Sequence, residues 1–138
     1  MAIALSKPAV DLGIVIRDSE ASLAFYRDLL GFRFEATIAM PIGSGVMHRL
    51  WCGDSLIKLV RFDEVPTASA PPGGIAGGTG FRYLTIHAAN LAEVMAECKA
   101  AGVTIVTPPR EIRPGVTIGM VEDPDGNVVE FVDYGTPT

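Results

Sequence analysis

The sequence holds two cysteines in 138 residues, Cys52 and Cys98, and they fit neither a CxxC pair nor a zinc-ligand spacing. That count excludes a disulfide scaffold and makes a reducing cytoplasm the expected compartment. Long apolar runs are missing as well. Nothing approaches the ~18–20 residues needed to span a bilayer, and the N-terminus lacks the charge and cleavage pattern of a signal peptide. Neither membrane insertion nor secretion is expected. Positive charge is scarce: 11 Lys+Arg stand against 16 Asp+Glu, for a net charge of −5. Such a chain repels a phosphate backbone, so nucleic acid is not an expected partner. The glycine-rich middle carries no GK[ST] and no strand–helix context, and no phosphate-bearing cofactor is assigned. Neither cysteine is placed by sequence beside a base that could activate it, so no nucleophile constellation is assigned.

What is present is a soluble core composition, 49% hydrophobic and 20% charged, in a length suited to one compact domain. From Asp63 to Gly80 the chain reads DEVPTASAPPGGIAGGTG, a linker or loop with no face to bury. It separates two stretches, Ala9–Phe62 and Phe81–Tyr134, that read as copies of one unit. Each opens with a strand-like run, VDLGIVI or RYLTIHA. A helix-capping residue follows, Asp18 or Asn90. The helices are predicted over Ser19–Leu30 and Leu91–Ala101, ending at Gly31 and Gly102. In the second, Leu91, Val94, Met95 and Cys98 form one apolar face. A short strand and a hairpin complete each copy, with turns at Gly53-Asp54 and Asp123-Pro124-Asp125-Gly126. Asp18 and Asn90 are 72 residues apart, as are Ile14 and Ile86, whereas Gly31 and Gly102 are 71 apart. Two βαβββ units related by a pseudo-twofold axis follow.

Alternation along the strands nominates the functional residues. Leu12, Ile14, Ile16, Leu84 and Ile86 cover helices, as do Ile57, Leu59, Val129 and Phe131. The opposite faces then carry Asp11, Lys58, Tyr83 and Glu130, at places again related by 72. Charges on hydrophobic strands are paired or line a site. Here the two readings are a salt-bridge network closing the sheet and a small-molecule pocket, with the pocket favoured by the repeated placement. If the first hairpin loop is even in length, Met47, Arg49 and Trp51 join the Lys58 face, giving an anion contact and a stacking wall. An odd loop offers His48 instead. His87 lies two positions beyond Tyr83, as a structural residue or a base. Arg113, with Arg110 and Glu111, is placed on a loop before a strand, where it could clamp an anionic group.

DSEASLAFYRDLLGF (Asp18–Phe32) and VEDPDGNVVEF (Val121–Phe131) resemble the vicinal oxygen chelate superfamily of glyoxalases, bleomycin-resistance proteins, epimerases and extradiol dioxygenases. The resemblance implies an α+β fold, with two βαβββ units forming a curled mixed sheet around a cavity and helices outside. Residues 1–138 would form a single domain, with repeat units 9–62 and 81–134 and linker 63–80. A homodimer that binds a small-molecule ligand is also implied. In metal-dependent members four strand residues hold a divalent ion, and by register these are Asp11, Lys58, Tyr83 and Glu130. Lys58 departs from that pattern, because an ammonium has donors and no lone pair to give a cation. No metal ligand is therefore assigned. The catalytic set expected is Lys58, Glu130, Asp11 and Tyr83, with Lys58 meeting a substrate oxyanion and a carboxylate taking a proton. Arg49, Trp51, His87 and Arg113 are the substrate-binding candidates. The expected function is a metal-independent lyase or isomerase. The alternatives are a non-catalytic ligand-binding or drug-sequestration protein and, second, a metal-dependent glyoxalase or dioxygenase.

Overall fold

A computed structural model describes residues 1–135. The chain divides into two compact units, Met1–Thr67 and Ala68–Thr138. In the first, β1 (Leu12–Val15), a helix, β2 (Arg33–Ala39), β3 (Gly45–Cys52) and β4 (Ser55–Phe62) form a sheet in the order β1-β4-β3-β2. The second repeats it with β5 (Tyr83–His87), α2 (Leu91–Ala100), β6 (Ile105–Arg113), β7 (Val116–Glu122) and β8 (Val128–Asp133), in the order β5-β8-β7-β6. In each unit the opening strand runs parallel to the last strand, and the hairpins are antiparallel. The fold is α+β, built from two βαβββ units.

The first helix begins as α1 (Ser19–Leu23), capped by Asp18 accepting from the Ala21 amide at 3.2 Å. It continues as a π-helical stretch over Ala24–Leu29, where the Leu30 amide donates to the Phe25 carbonyl five residues back. A π turn holds one residue more than an α turn. This explains why Asp18–Gly31 is one residue longer than Asn90–Gly102. Phe25 and Tyr26 are buried by this stretch, and Tyr26 meets Phe32 with ring centroids 5.8 Å apart. In α2, Leu91, Met95 and Cys98 are buried.

Two sequence expectations are corrected. Asn90 does not cap its helix through its side chain. Its amide instead donates to Glu93, at 3.3 Å. Arg110, Glu111 and Arg113 lie in the edge strand β6 rather than on a loop. Pro108 and Pro109 sit where the register with β7 shifts, between Thr107 and Arg110. An edge position and a bulge remove the need for the amide donors that proline lacks.

The Pro/Gly-rich segment after Thr67 is tied down. The Arg82 guanidinium donates to the carbonyls of Ile75 (3.0 Å), Pro71 (3.3 Å) and Gly74. A Cβ at Gly77 would lie 2.0 Å from the Pro72 carbonyl oxygen, so only glycine permits this wrap.

Candidate functional site

The turn Gly53-Asp54 contributes two residues, and Cys52 pairs with Ser55. The hairpin is therefore even. Arg49 lies directly opposite Lys58, Trp51 opposite Leu56, and Met47 opposite Val60. Residues paired across an antiparallel ladder share a face, so Arg49 and Trp51 join the Lys58 face. His48 goes to the helix side, where it is 6% exposed. Its ring nitrogens sit 2.8 Å from the hydroxyls of Thr37 and Ser19. Burial holds its pKa below the ordinary value, with the Arg27 charge adding to the effect. A buried histidine bridging two hydroxyls serves packing.

Lys58 is partly buried, and among the described residues it has no hydrogen-bond or ion-pair partner. Its neighbour on β1 is Gly13, and a Cβ placed there would meet nothing within 4 Å. Open space therefore adjoins Lys58. Asp11, one residue before β1, is taken by a residue that strand alternation did not nominate. The Lys7 ammonium donates to it at 2.6 Å, whereas the Leu56 amide reaches it only at 3.4 Å. The Lys7 hydrogen bond holds the Asp11 carboxyl below its ordinary pKa against partial desolvation, and the Lys58 charge is a smaller contribution. Lys7 also bonds the Asp54 carbonyl at 3.1 Å and lies 4.9 Å from the centre of the Trp51 ring.

Glu35 is the second residue that sequence reasoning missed. The β2–β3 register shifts between Phe34 and Ala36, leaving Glu35 as the extra residue. Its carboxylate accepts from Arg49 Nε and from Trp51 Nε1, the latter at 3.1 Å. The Arg49 and then the Trp51 hydrogen bond lower its pKa. Arg33 stands 5.8 Å from the Trp51 ring centre. The indole is thus held by Lys7, Arg33 and Glu35.

In the second unit Glu130 lies beside Thr85, whose hydroxyl donates to it at 2.7 Å. Thr85, rather than Tyr83, supplies the hydrogen bond. Tyr83 pairs with Val128 and is 53% exposed. Opposite Glu130 on β7 stands Met120. His87 and Arg113 meet at a third residue, Tyr134. The imidazole stacks on the phenol at 5.3 Å, and the guanidinium lies 5.9 Å from the ring centre. His87 and Tyr134 also line a shallow, open hollow of about 310 Å³ with Val132 and Asp133.

The donor set does not suit a divalent ion. Lys58 has no lone pair to offer while charged, and Asp11 Oδ1 is already paired with the Lys7 ammonium. Among the described residues no group of three or more His, Cys, Asp and Glu gathers in a form that could hold a metal. Nor is any described helix long and apolar enough to cross a membrane.

Comparisons with known proteins agree with this architecture. A search of curated proteins finds no match. Solved structures do match; the three named here are under 25% identical and so speak to the fold alone. Glyoxalase I from Zea mays aligns with a TM-score of 0.76 and 19% identity, covering 91% of this chain and 44% of that one. TioX from Micromonospora sp. ML1 gives 0.68 and 22%, covering 93% and 99%. A glyoxalase family protein from Enterococcus faecalis gives 0.66 and 21%, covering 94% and 96%. The sequence profile of the Glyoxalase/Bleomycin resistance protein/Dioxygenase superfamily matches residues 9–131, and with both βαβββ units in place the chain belongs to that superfamily.

Proposed function

We propose that this protein binds a small molecule without a divalent ion, and that the Lys58 ammonium meets the ligand oxygen an ion would otherwise polarise. One observation carries the reading: a half-buried lysine with no hydrogen-bond or ion-pair partner among the described residues, beside the open space over Gly13. An ammonium with no close protein partner keeps its donors for a ligand that arrives. The chemistry that fits is that of a lyase or isomerase, in which a proton leaves carbon next to a carbonyl and the ammonium steadies the oxyanion. Asp11 is the candidate proton acceptor of the first unit and Glu130 that of the second, each tested by its own Asn or Gln variant.

A second reading is binding without turnover, favoured by Asp11 itself. A carboxylate paired with Lys7 and held below its ordinary pKa is a weak base at neutral pH. A cytoplasmic homodimer belongs to both readings. Elemental analysis of protein purified without chelators tests the metal-free claim. Substoichiometric zinc, nickel and iron are expected; a stoichiometric ion required for binding overturns it. A ligand found by thermal shift should then be followed for chemical change, and Lys58→Met should abolish its binding.

A further inference from the structure

We infer that the first unit selects an organic anion, a carboxylate or phosphate monoester with an apolar body, whose charged end bridges Arg49 and Lys58. The inference rests on the ligand-binding reading above and names the ligand class of that face. Its starting point is the register: Arg49 and Lys58 stand directly opposite one another on adjacent antiparallel strands. Like charges in that position repel and weaken a sheet. Glu35 offsets part of this by taking Arg49 Nε, yet Lys58 keeps no partner among the described residues. Around Trp51 and this rung the cations are Lys7, Arg33, Arg49 and Lys58, and the acids are Asp11, Glu35 and the turn residue Asp54. The local balance is positive in a protein whose net charge is −5. An arriving anion would convert the repulsion into two charge-assisted hydrogen bonds.

The neighbouring rungs describe the remainder of the ligand. On one side of Arg49–Lys58 the same face continues with Met47 opposite Val60, and Val60 is flanked by Val15 on β1. Met47 and Val60 are buried while Val15 is 49% exposed, which makes an apolar strip with one accessible member. On the other side Trp51 is held by Glu35, Lys7 and Arg33. The apolar body therefore extends toward Val15, with Gly13 leaving room for the head group.

The test is amide-resolved NMR titration of the full chain with four probes: benzoate, phenyl phosphate, the neutral isostere benzamide, and inorganic phosphate. Saturable shifts along Met47–Trp51 and Leu56–Val60 are expected for benzoate or phenyl phosphate, at affinities about ten-fold or more above benzamide. Which of the two wins distinguishes a carboxylate from a phosphoryl head. Arg49→Met and Lys58→Met should each lose about ten-fold or more, and Lys58→Met should unfold at a midpoint no lower than the wild type, since it removes the repulsion without breaking the Arg49–Glu35 pair. Lys58→Gln serves as a second neutral variant if either fails to fold. Benzamide binding as tightly as benzoate, no saturable shift with either organic anion, or undiminished affinity in the variants would overturn the inference. Inorganic phosphate matching phenyl phosphate would overturn its apolar half. Binding of benzoate that requires an added divalent ion would instead defeat the metal-free reading of the function.

Discussion

The two units share one topology and differ at matching positions on both faces of the hairpin. On the helix side, His48 of β3 corresponds to Gly119 of β7, since they pair with Leu59 and Phe131 in turn. The first unit fills that place with a buried imidazole bridging Thr37 and Ser19. In the second, the space is taken by Met95, whose Sδ would lie 2.7 Å from a Cβ on Gly119. On the opposite face Arg49 and Lys58 correspond to Met120 and Glu130. One scaffold thus carries a cationic rung in one copy and an acidic–apolar rung in the other. Backbone pairing fixes where side chains go, and identity at each place is free to diverge.

The largest contrast is expected at the turns. The buried Asp123 carboxylate accepts from the amides of Asp125 and Asn127, at 2.9 and 2.8 Å, and from the Asn127 side chain at 3.0 Å. Asp123→Ala should cost about 3 kcal/mol in urea unfolding. Asp54→Ala, at the exposed turn of the first unit, should stay within about 0.5 kcal/mol. Equal losses would show that the two hairpins are held in the same way.

Next comes Gly119→Ala, which forces Met95 aside and should cost about 1–2 kcal/mol. A neutral result would mean that the thioether repacks freely. Lys58→Glu gives the first unit the residue of the second and sets a carboxylate opposite Arg49. Because the new carboxylate also loses the attraction between Lys58 and Asp11, it should stabilise by no more than about 0.5 kcal/mol in the same assay, and a loss above about 1 kcal/mol would contradict the repulsion argued for that rung.

The smallest effect is one of pH. Because the folded pKa of His48 lies below its unfolded value, the unfolded chain takes up the proton more readily. The stability owed to a neutral His48 is complete above about pH 6.5 and declines as the pH falls through its folded pKa. In His48→Gln that part of the decline should vanish from unfolding curves taken between about pH 5 and 7.5.

Much of the fold was legible because duplication made each strand a check on its partner. The Gly53-Asp54 turn settles the hairpin parity that alternation alone left open. The site residues were harder. Lys7 lies before the repeat begins, so register arithmetic never reached it. Glu35 owes its orientation to a bulge, and a bulge breaks the period that strand reading relies on. Thr85 was on the nominated face, between Tyr83 and His87, but a hydroxyl carries no charge to draw notice. Tyr134 engages His87 and Arg113 through ring faces, contacts that leave no spacing signature.

The π stretch over Ala24–Leu29 has a consequence for how the copies drifted apart. An extra residue in a strand would turn every later side chain over, whereas here it is swallowed by a local widening of the coil. Length changes in this architecture are best absorbed where the chain winds, leaving the ladders beneath in step; engineered insertions aimed at that segment should be the ones that survive.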